Sequence, residues 1–109
     1  MSNKPKKWEI WDAIVKFEDR PTISKIRPVL VVNPDLIYIL SFKITSHDPR
    51  EEFPYEYPIH KWKECGLDRP STIRLSKKLE LSESDLTAKR GKLQTLDIFG
   101  IQEMIRKRK

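Results

Sequence analysis

Residues 24–32 read SKIRPVLVV: Ser24, two cations (Lys25 and Arg27) spaced by Ile26, then Pro28 and the aliphatic run Val29-Leu30-Val31-Val32. Such a run, bounded by polar sequence, reads as a buried β-strand. Pro28 has no N–H for a ladder and is expected at the strand start or on an edge. The residue before a proline is kept out of the α region, so Arg27 is held extended at the mouth of a segment that wants burial. Its guanidinium stays charged at every working pH and matches phosphate oxygens as a two-pronged donor. Three readings compete: surface decoration, an ion pair with Glu18 or Asp19, and a positioned reagent.

Outward from this strand the pattern is mostly period two. Trp11, Ala13, Val15 and Phe17 share one face, with Asp12 and Lys16 on the other, as in a half-buried strand. Asn33-Pro34-Asp35 signals a turn, and residues 36–45 (LIYILSFKIT) a third strand that grows polar towards its end. Residues 46–54 are charged and aperiodic, an exposed loop, and 55–59 form a short aromatic strand. Residues 60–65 (HKWKEC) suit one helical turn stopped by Gly66. Residues 71–76 (STIRLS) alternate again, Ser82 and Asp85 have capping-box spacing for a short helix, and 89–93 suit a last strand or turn. Ile98, Ile101 and Ile105, with Met104 beside them and Thr95 as N-cap, predict an amphipathic helix ending in four cations. Many short strands and one late helix describe a mainly β (β with α) fold, a small antiparallel barrel with a C-terminal helix.

The 109 residues suffice for one domain, 1–109, in which the lysine-rich 1–7 is expected to be loose. Charged residues make up 35% and hydrophobic residues 38%, and the net charge of +6 favours polyanionic partners. One cysteine, Cys65, precludes an internal disulfide, and two histidines are few for zinc, so no metal or cofactor is expected. The basic start has no apolar run of signal-peptide type, and no stretch approaches the roughly 20 apolar residues of a membrane span. A cytoplasmic protein without membrane contact is the expectation.

Two further stretches join Arg27 as candidates for chemistry. At the polar end of the third strand, Lys43, Thr45, Ser46 and His47 set a cation, two hydroxyls and an imidazole side by side. His47 titrates near neutrality without perturbation; the plainer reading is a loop start whose hydroxyls bond local backbone. In 70–76, Arg74 lies between Ile73 and Leu75 and must face away from the core if they face in, with Ser76 two positions on. Arg27, Thr45, His47 and Arg74 all fall near strand ends, where a barrel gathers them on one rim.

These stretches, in this order, resemble the MazF/PemK family of toxins from bacterial type II toxin–antitoxin modules. Arg27-Pro28-Val29-Leu30-Val31-Val32 is similar to the family's RPVLV strand, and Ile44-Thr45-Ser46 to its strand-end threonine segment. Gly66-Leu67-Asp68-Arg69-Pro70-Ser71-Thr72-Ile73-Arg74 resembles the G-L-x-x-P-S-x-V-R stretch of PemK-like members, and Gly91-Lys92-Leu93 the G-x-L signature. The resemblance runs from Trp8 to the final helix. It implies an SH3-like barrel, a homodimer, metal-independent cleavage of single-stranded RNA, and neutralisation by an antitoxin peptide laid over the RNA groove. Arg27 and Thr45 match the family's catalytic pair. The chain departs from the pattern in Lys7-Trp8-Glu9, where a glycine often precedes the acid, in the short connection 18–24, and in Ser76, where some members carry aspartate.

The residues support a mechanism in which RNA supplies its own nucleophile, the 2′-hydroxyl. Arg27 faces the developing phosphoryl charge, Thr45 hydrogen-bonds the phosphate or the 2′-oxygen, and His47 transfers the proton. Lys25, Lys43, Ser46, Arg74 and Ser76 are assigned to RNA binding, and the products would be a 2′,3′-cyclic phosphate and a 5′-hydroxyl. Trp8, Trp11, Tyr55 and Trp62 are candidates for base stacking or, alternatively, for core and dimer contacts. The competing functions are a non-catalytic RNA-binding or regulatory module on the same fold, and a protein-targeting toxin resembling the gyrase poison CcdB.

Overall fold

The period-two stretches pair into one antiparallel sheet. A computed structural model describes residues 4–16, 22–34, 39–46 and 55–107. The strands are β1 (Glu9–Lys16), β2 (Ser24–Asn33), β3 (Ile39–Thr45), β4 (Glu56–Pro58), β5 (Thr72–Leu81) and β6 (Leu86–Lys92), followed by helix α1 (Thr95–Lys107). Their order across the sheet is β4-β5-β3-β2-β1-β6, so the RPVLVV strand is central. The expected mainly β architecture with one late helix is what the chain adopts. The sheet is open rather than closed: among the described residues no ladder joins β4 to β6.

Both faces of the sheet are covered, because alternate residues feed two apolar clusters. Ile10, Leu30, Phe42, Ile44, Ile73 and Leu75 pack beneath α1 with Leu93 and Ile101; Trp11, Ala13, Val15, Val29 and Val31 form the second cluster with Leu81 and Leu86. The half-buried reading of β1 therefore understates its start, where Ile10 is fully buried opposite Trp11. It holds at its end, where Ile14 and its partner Ile26 are exposed. β5 runs beyond the predicted 71–76 and changes phase midway. Lys43 pairs with Arg74 and Phe42 with Lys78, which leaves Leu75, Ser76 and Lys77 outside the β3 ladder. That odd insertion moves odd-numbered residues from the first cluster (Ile73, Leu75) to the second (Leu79, Leu81).

Pro28 sits inside β2 opposite Asp12. The β2–β3 ladder begins only at Val29↔Lys43, so among the described residues the stretch from Ser24 to Pro28 has β1 as its one ladder partner. Locally β2 is an edge there, which is where a proline is tolerated.

The predicted turn at 60–65 closes as a helical C-cap. Leu67 N–H bonds the Trp62 carbonyl and Gly66 N–H that of Lys63, with Gly66 at φ +93. Gly66 and Gly91 lie back to back: a Cβ on Gly66 would fall 2.1 Å from the Arg90 carbonyl oxygen, and one on Gly91 2.3 Å from that of Cys65. Gly91→Ala is therefore expected to cost about 1–3 kcal/mol through forced separation of the turn from β6. A urea titration checks it, and an unchanged midpoint would contradict the contact.

The short helix expected at Ser82 to Asp85 is a single turn of 3-10 helix, Glu83–Asp85, and Ser82 N–H donates to Asp85 Oδ2 at 3.0 Å as the capping pattern predicts. At α1 the Gln94 carbonyl accepts from Asp97 and Ile98 N–H, so Gln94 holds the cap position and Thr95 is the first helical residue. Ile101 is buried, whereas Ile105, in the last turn, is 41% exposed.

Asp97 is the one fully buried carboxylate among the described residues. Its Oδ1 accepts from the Tyr57 hydroxyl at 2.8 Å and His60 N–H at 2.9 Å, and Oδ2 from Lys61 N–H at 2.9 Å. It thereby bolts α1 to β4 and to the turn that follows. Glu9 does similar work at the other edge, accepting from Lys6 N–H, Trp11 Nε1 and Lys89 Nζ. Burial alone would raise its pKa, but these donors outweigh that and hold it below the usual carboxylate range. The preceding Trp8 has φ +72, the left-handed backbone state that a glycine takes without steric cost. The Trp8 ring packs against the α1-side cluster with Lys7 Nζ 5.2 Å from its centroid.

Candidate functional site

Arg27 and Thr45 arrive at one place by strand register. The β2–β3 pairing starts at Val29↔Lys43; continued outward by two residues, it faces Arg27 with Thr45. The chain separates at that point, and two pockets open that share Arg27, Ile44, Thr45 and Ser46. One, of about 330 Å³, adds Val15, Lys43 and Arg74. The other, of about 230 Å³, is bounded on its far side by Leu67, Asp68, Arg69, Ser71 and Arg90.

Arg27 is exposed, and among the described residues its guanidinium is in no ion pair. Its alternative partners, Glu18 and Asp19, lie outside the described residues, as does His47. The Thr45 Oγ1 atom is buried and has no hydrogen-bond partner among the described residues. An enclosed hydroxyl left unpaired is uncommon in native proteins and calls for an explanation, such as a ligand atom. Arg74 faces away from Ile73 and Leu75, as its flanking residues require, but it is not a loose surface cation. Its Nε donates to Glu56 Oε2 at 3.1 Å, with the arginine side chain 13% exposed and the glutamate 1%. The pair fixes a cation at the pocket wall with a buried counter-charge behind it.

Of the residues assigned from sequence, Arg27, Lys43, Thr45, Ser46 and Arg74 converge on these pockets, whereas Lys25 and Ser76 line neither. Ser76 belongs to the stretch of β5 that lies outside the β3 ladder. The far wall was not assigned. Arg90 Nε donates to Asp12 Oδ1 at 2.8 Å, which orients it, and its NH1 lies 3.9 Å from Asp68. The Asp12 carboxylate also raises Arg90 above its ordinary guanidinium range. The separation of 78 positions in sequence hides the Asp12–Arg90 pair from local sequence patterns. The proposed aromatic platforms are drawn into the packing: Trp11 is buried in the second cluster, and Trp8, Tyr55 and Trp62 pack on the α1-side cluster. Cys65 is fully buried and burial pushes its thiol up to about 11, so it has no nucleophilic part.

A basic cleft lies at the end of this small antiparallel sheet, with Arg27 and the Thr45 hydroxyl, unpartnered among the described residues, at its centre. The chain matches the PemK-like, MazF-like toxins of type II toxin–antitoxin systems over residues 6–107, and it belongs to that family. Among solved structures it is similar to the Mycobacterium tuberculosis toxin MazF-mt6 at 22% identity and TM-score 0.68, over 91% of this chain and 93% of that one. It is also similar to an endoribonuclease from a mycobacterial species at 11% identity and TM-score 0.71, over 98% and 92% of the two chains. Both likenesses bear on the fold. Comparison with curated protein sequences returned no match.

Proposed function

We propose that this toxin is an endoribonuclease that cleaves single-stranded RNA by attack of a 2′-hydroxyl on the adjacent phosphorus, leaving a 2′,3′-cyclic phosphate and a 5′-hydroxyl without a metal ion. The observation that carries the reading is the buried Thr45 hydroxyl, unpartnered among the described residues, in the pocket that it shares with the exposed Arg27. A phosphoryl oxygen between them accepts from both. Arg27 meets the charge that develops on the non-bridging oxygens, and Thr45 positions the phosphate or the 2′-oxygen. Lys43 and Arg74 supply the positive wall along which the backbone runs, and Ser46 extends it. His47, one residue beyond Ser46, is the proposed proton-transfer group.

The name of one structural neighbour, an endoribonuclease, and membership of a toxin family support the same reading over a regulatory module. An antitoxin with an acidic segment is the proposed natural inhibitor, since it competes for the same cations. A homodimer is proposed on the exposure of Leu96 (55%) and Phe99 (65%) on α1, apolar surface that a second copy would cover.

Thr45→Val separates function from stability. The valine keeps the shape and removes an unpaired hydroxyl, so the melting temperature is expected to hold or rise. Cleavage of single-stranded RNA is expected to fall by about 10- to 100-fold. A variant that cleaves at the wild-type rate would remove Thr45 from the mechanism.

A further inference from the structure

The two pockets differ in charge in a way that a uniform phosphate groove does not explain. The described residues lining the Lys43–Arg74 pocket include cations and no carboxylate. The other pocket has Arg27, Arg69 and Arg90 together with one carboxylate, Asp68. A carboxylate facing a phosphodiester repels it, so Asp68 makes the far side of this pocket less favourable to backbone phosphate than the carboxylate-free pocket. Asp68 is 69% exposed, and its contacts to Arg69 Nε (3.8 Å) and Arg90 NH1 (3.9 Å) are too long for hydrogen bonds. Its oxygens therefore keep their accepting capacity. The two guanidiniums near it keep donors of their own, Arg90 being oriented by Asp12. Ile26, Pro28 and Leu67 provide apolar surface in the same pocket.

Apolar surface with polar groups of both signs suits a flat heterocycle whose edge is read by hydrogen bonds. The order matters. A carboxylate accompanied by two guanidiniums presents an acceptor among donors. The Watson–Crick edge of uracil is the complement, with the N3–H donor between the O2 and O4 acceptors. Cytosine places a lone pair at N3, which meets the carboxylate with repulsion.

Resting on the RNA-cleaving reading above, we propose that the pocket walled by Asp68, Arg69 and Arg90 is a nucleobase subsite that selects uracil next to the phosphate held by Arg27 and Thr45. Asp68 accepts from N3–H, and the guanidiniums donate to O2 and O4. Asp68 and Arg69 are then specificity residues of the site, distinct from the phosphate-gripping ones.

The test uses the wild-type protein and Asp68→Asn, whose amide offers a donor to N3 of cytosine. The first readout sequences the fragment ends released from a randomised single-stranded RNA. The wild type is expected to show uridine enriched at one position beside the cut, and Asp68→Asn to lower the uridine-to-cytidine ratio there by about tenfold. Enrichment of another base in the wild type, or the same ratio in the variant, would overturn the subsite while leaving the nuclease reading intact.

The second readout needs no catalysis. Binding of 2′-O-methyl oligouridine and oligocytidine of equal length, which lack the attacking hydroxyl, is followed by fluorescence anisotropy. A uridine preference that Asp68→Asn abolishes supports the subsite even if no RNA is cut, in which case only the nuclease reading falls. Equal binding of both oligomers by the wild type would overturn the subsite. Since Asp68 is exposed, a thermal melt separates loss of fold from loss of selectivity.

Discussion

Asp97→Ala is expected to lower stability by about 3–5 kcal/mol, because the Tyr57 hydroxyl and the His60 and Lys61 amides all lose their acceptor. Asp97 has no exposed surface, so water does not replace the carboxylate without opening the contact of α1 with β4. A small domain has about 5–15 kcal/mol in total, and a loss of this size lowers the melting temperature by more than about 10 °C. Asp97→Asn keeps one acceptor oxygen for Tyr57 and His60 but turns an amide towards Lys61 N–H, and an intermediate loss is expected. Thermal unfolding of the three proteins orders them. A variant within about 2 °C of the wild type would show that the helix is held by its apolar face alone.

The second large effect is catalytic. Arg27→Ala is expected to reduce the single-turnover rate of RNA cleavage by about 10²–10³-fold, the usual consequence of removing one preorganised donor from developing charge. The loss should fall on the chemical step more than on binding, since Lys43 and Arg74 still attract the polyanion. Arg27→Lys restores the charge without the planar fork and should recover only part of the rate. Arg27 is exposed, with Val29, Leu30 and Val31 beyond it in the core, so the alanine variant should fold as the parent does. Equal rates for wild type and Arg27→Ala would return Arg27 to the role of a surface charge.

Much of the fold was legible because period-two alternation survives translation into burial. Trp11, Ala13 and Val15 share a cluster as their spacing demands, and Gly66 ends its turn in the left-handed state the sequence anticipates. The phase change in β5 was not legible: nothing in residues 72–81 marks the three residues that leave the β3 ladder, so Ser76 was placed at a site it does not reach. Arg27, Thr45 and Arg74 could be assigned to one rim because each lies near a strand end or in short-range sequence context. The opposing wall could not be, since Asp68 and Arg90 meet only after Gly66 and Gly91 pack against each other. The stretch Asp68-Arg69-Pro70 carried a signal, a carboxylate between apolar and cationic residues just past a turn, but its meaning depends on β6. The buried partner of Arg74 is similarly remote, with Glu56 lying 18 positions away on another strand.

Cleavage of RNA by the β2–β3 rim through Arg27, without a metal, is the proposed activity. It is tested most directly by incubating the purified protein and Arg27→Ala with a long single-stranded RNA, with and without EDTA, and reading fragment ends by mass spectrometry. The predicted result is EDTA-resistant cleavage giving 2′,3′-cyclic phosphate and 5′-hydroxyl ends, reduced at least a hundredfold in the variant. Cleavage abolished by EDTA, ends of another chemistry, or no cleavage at all would contradict it.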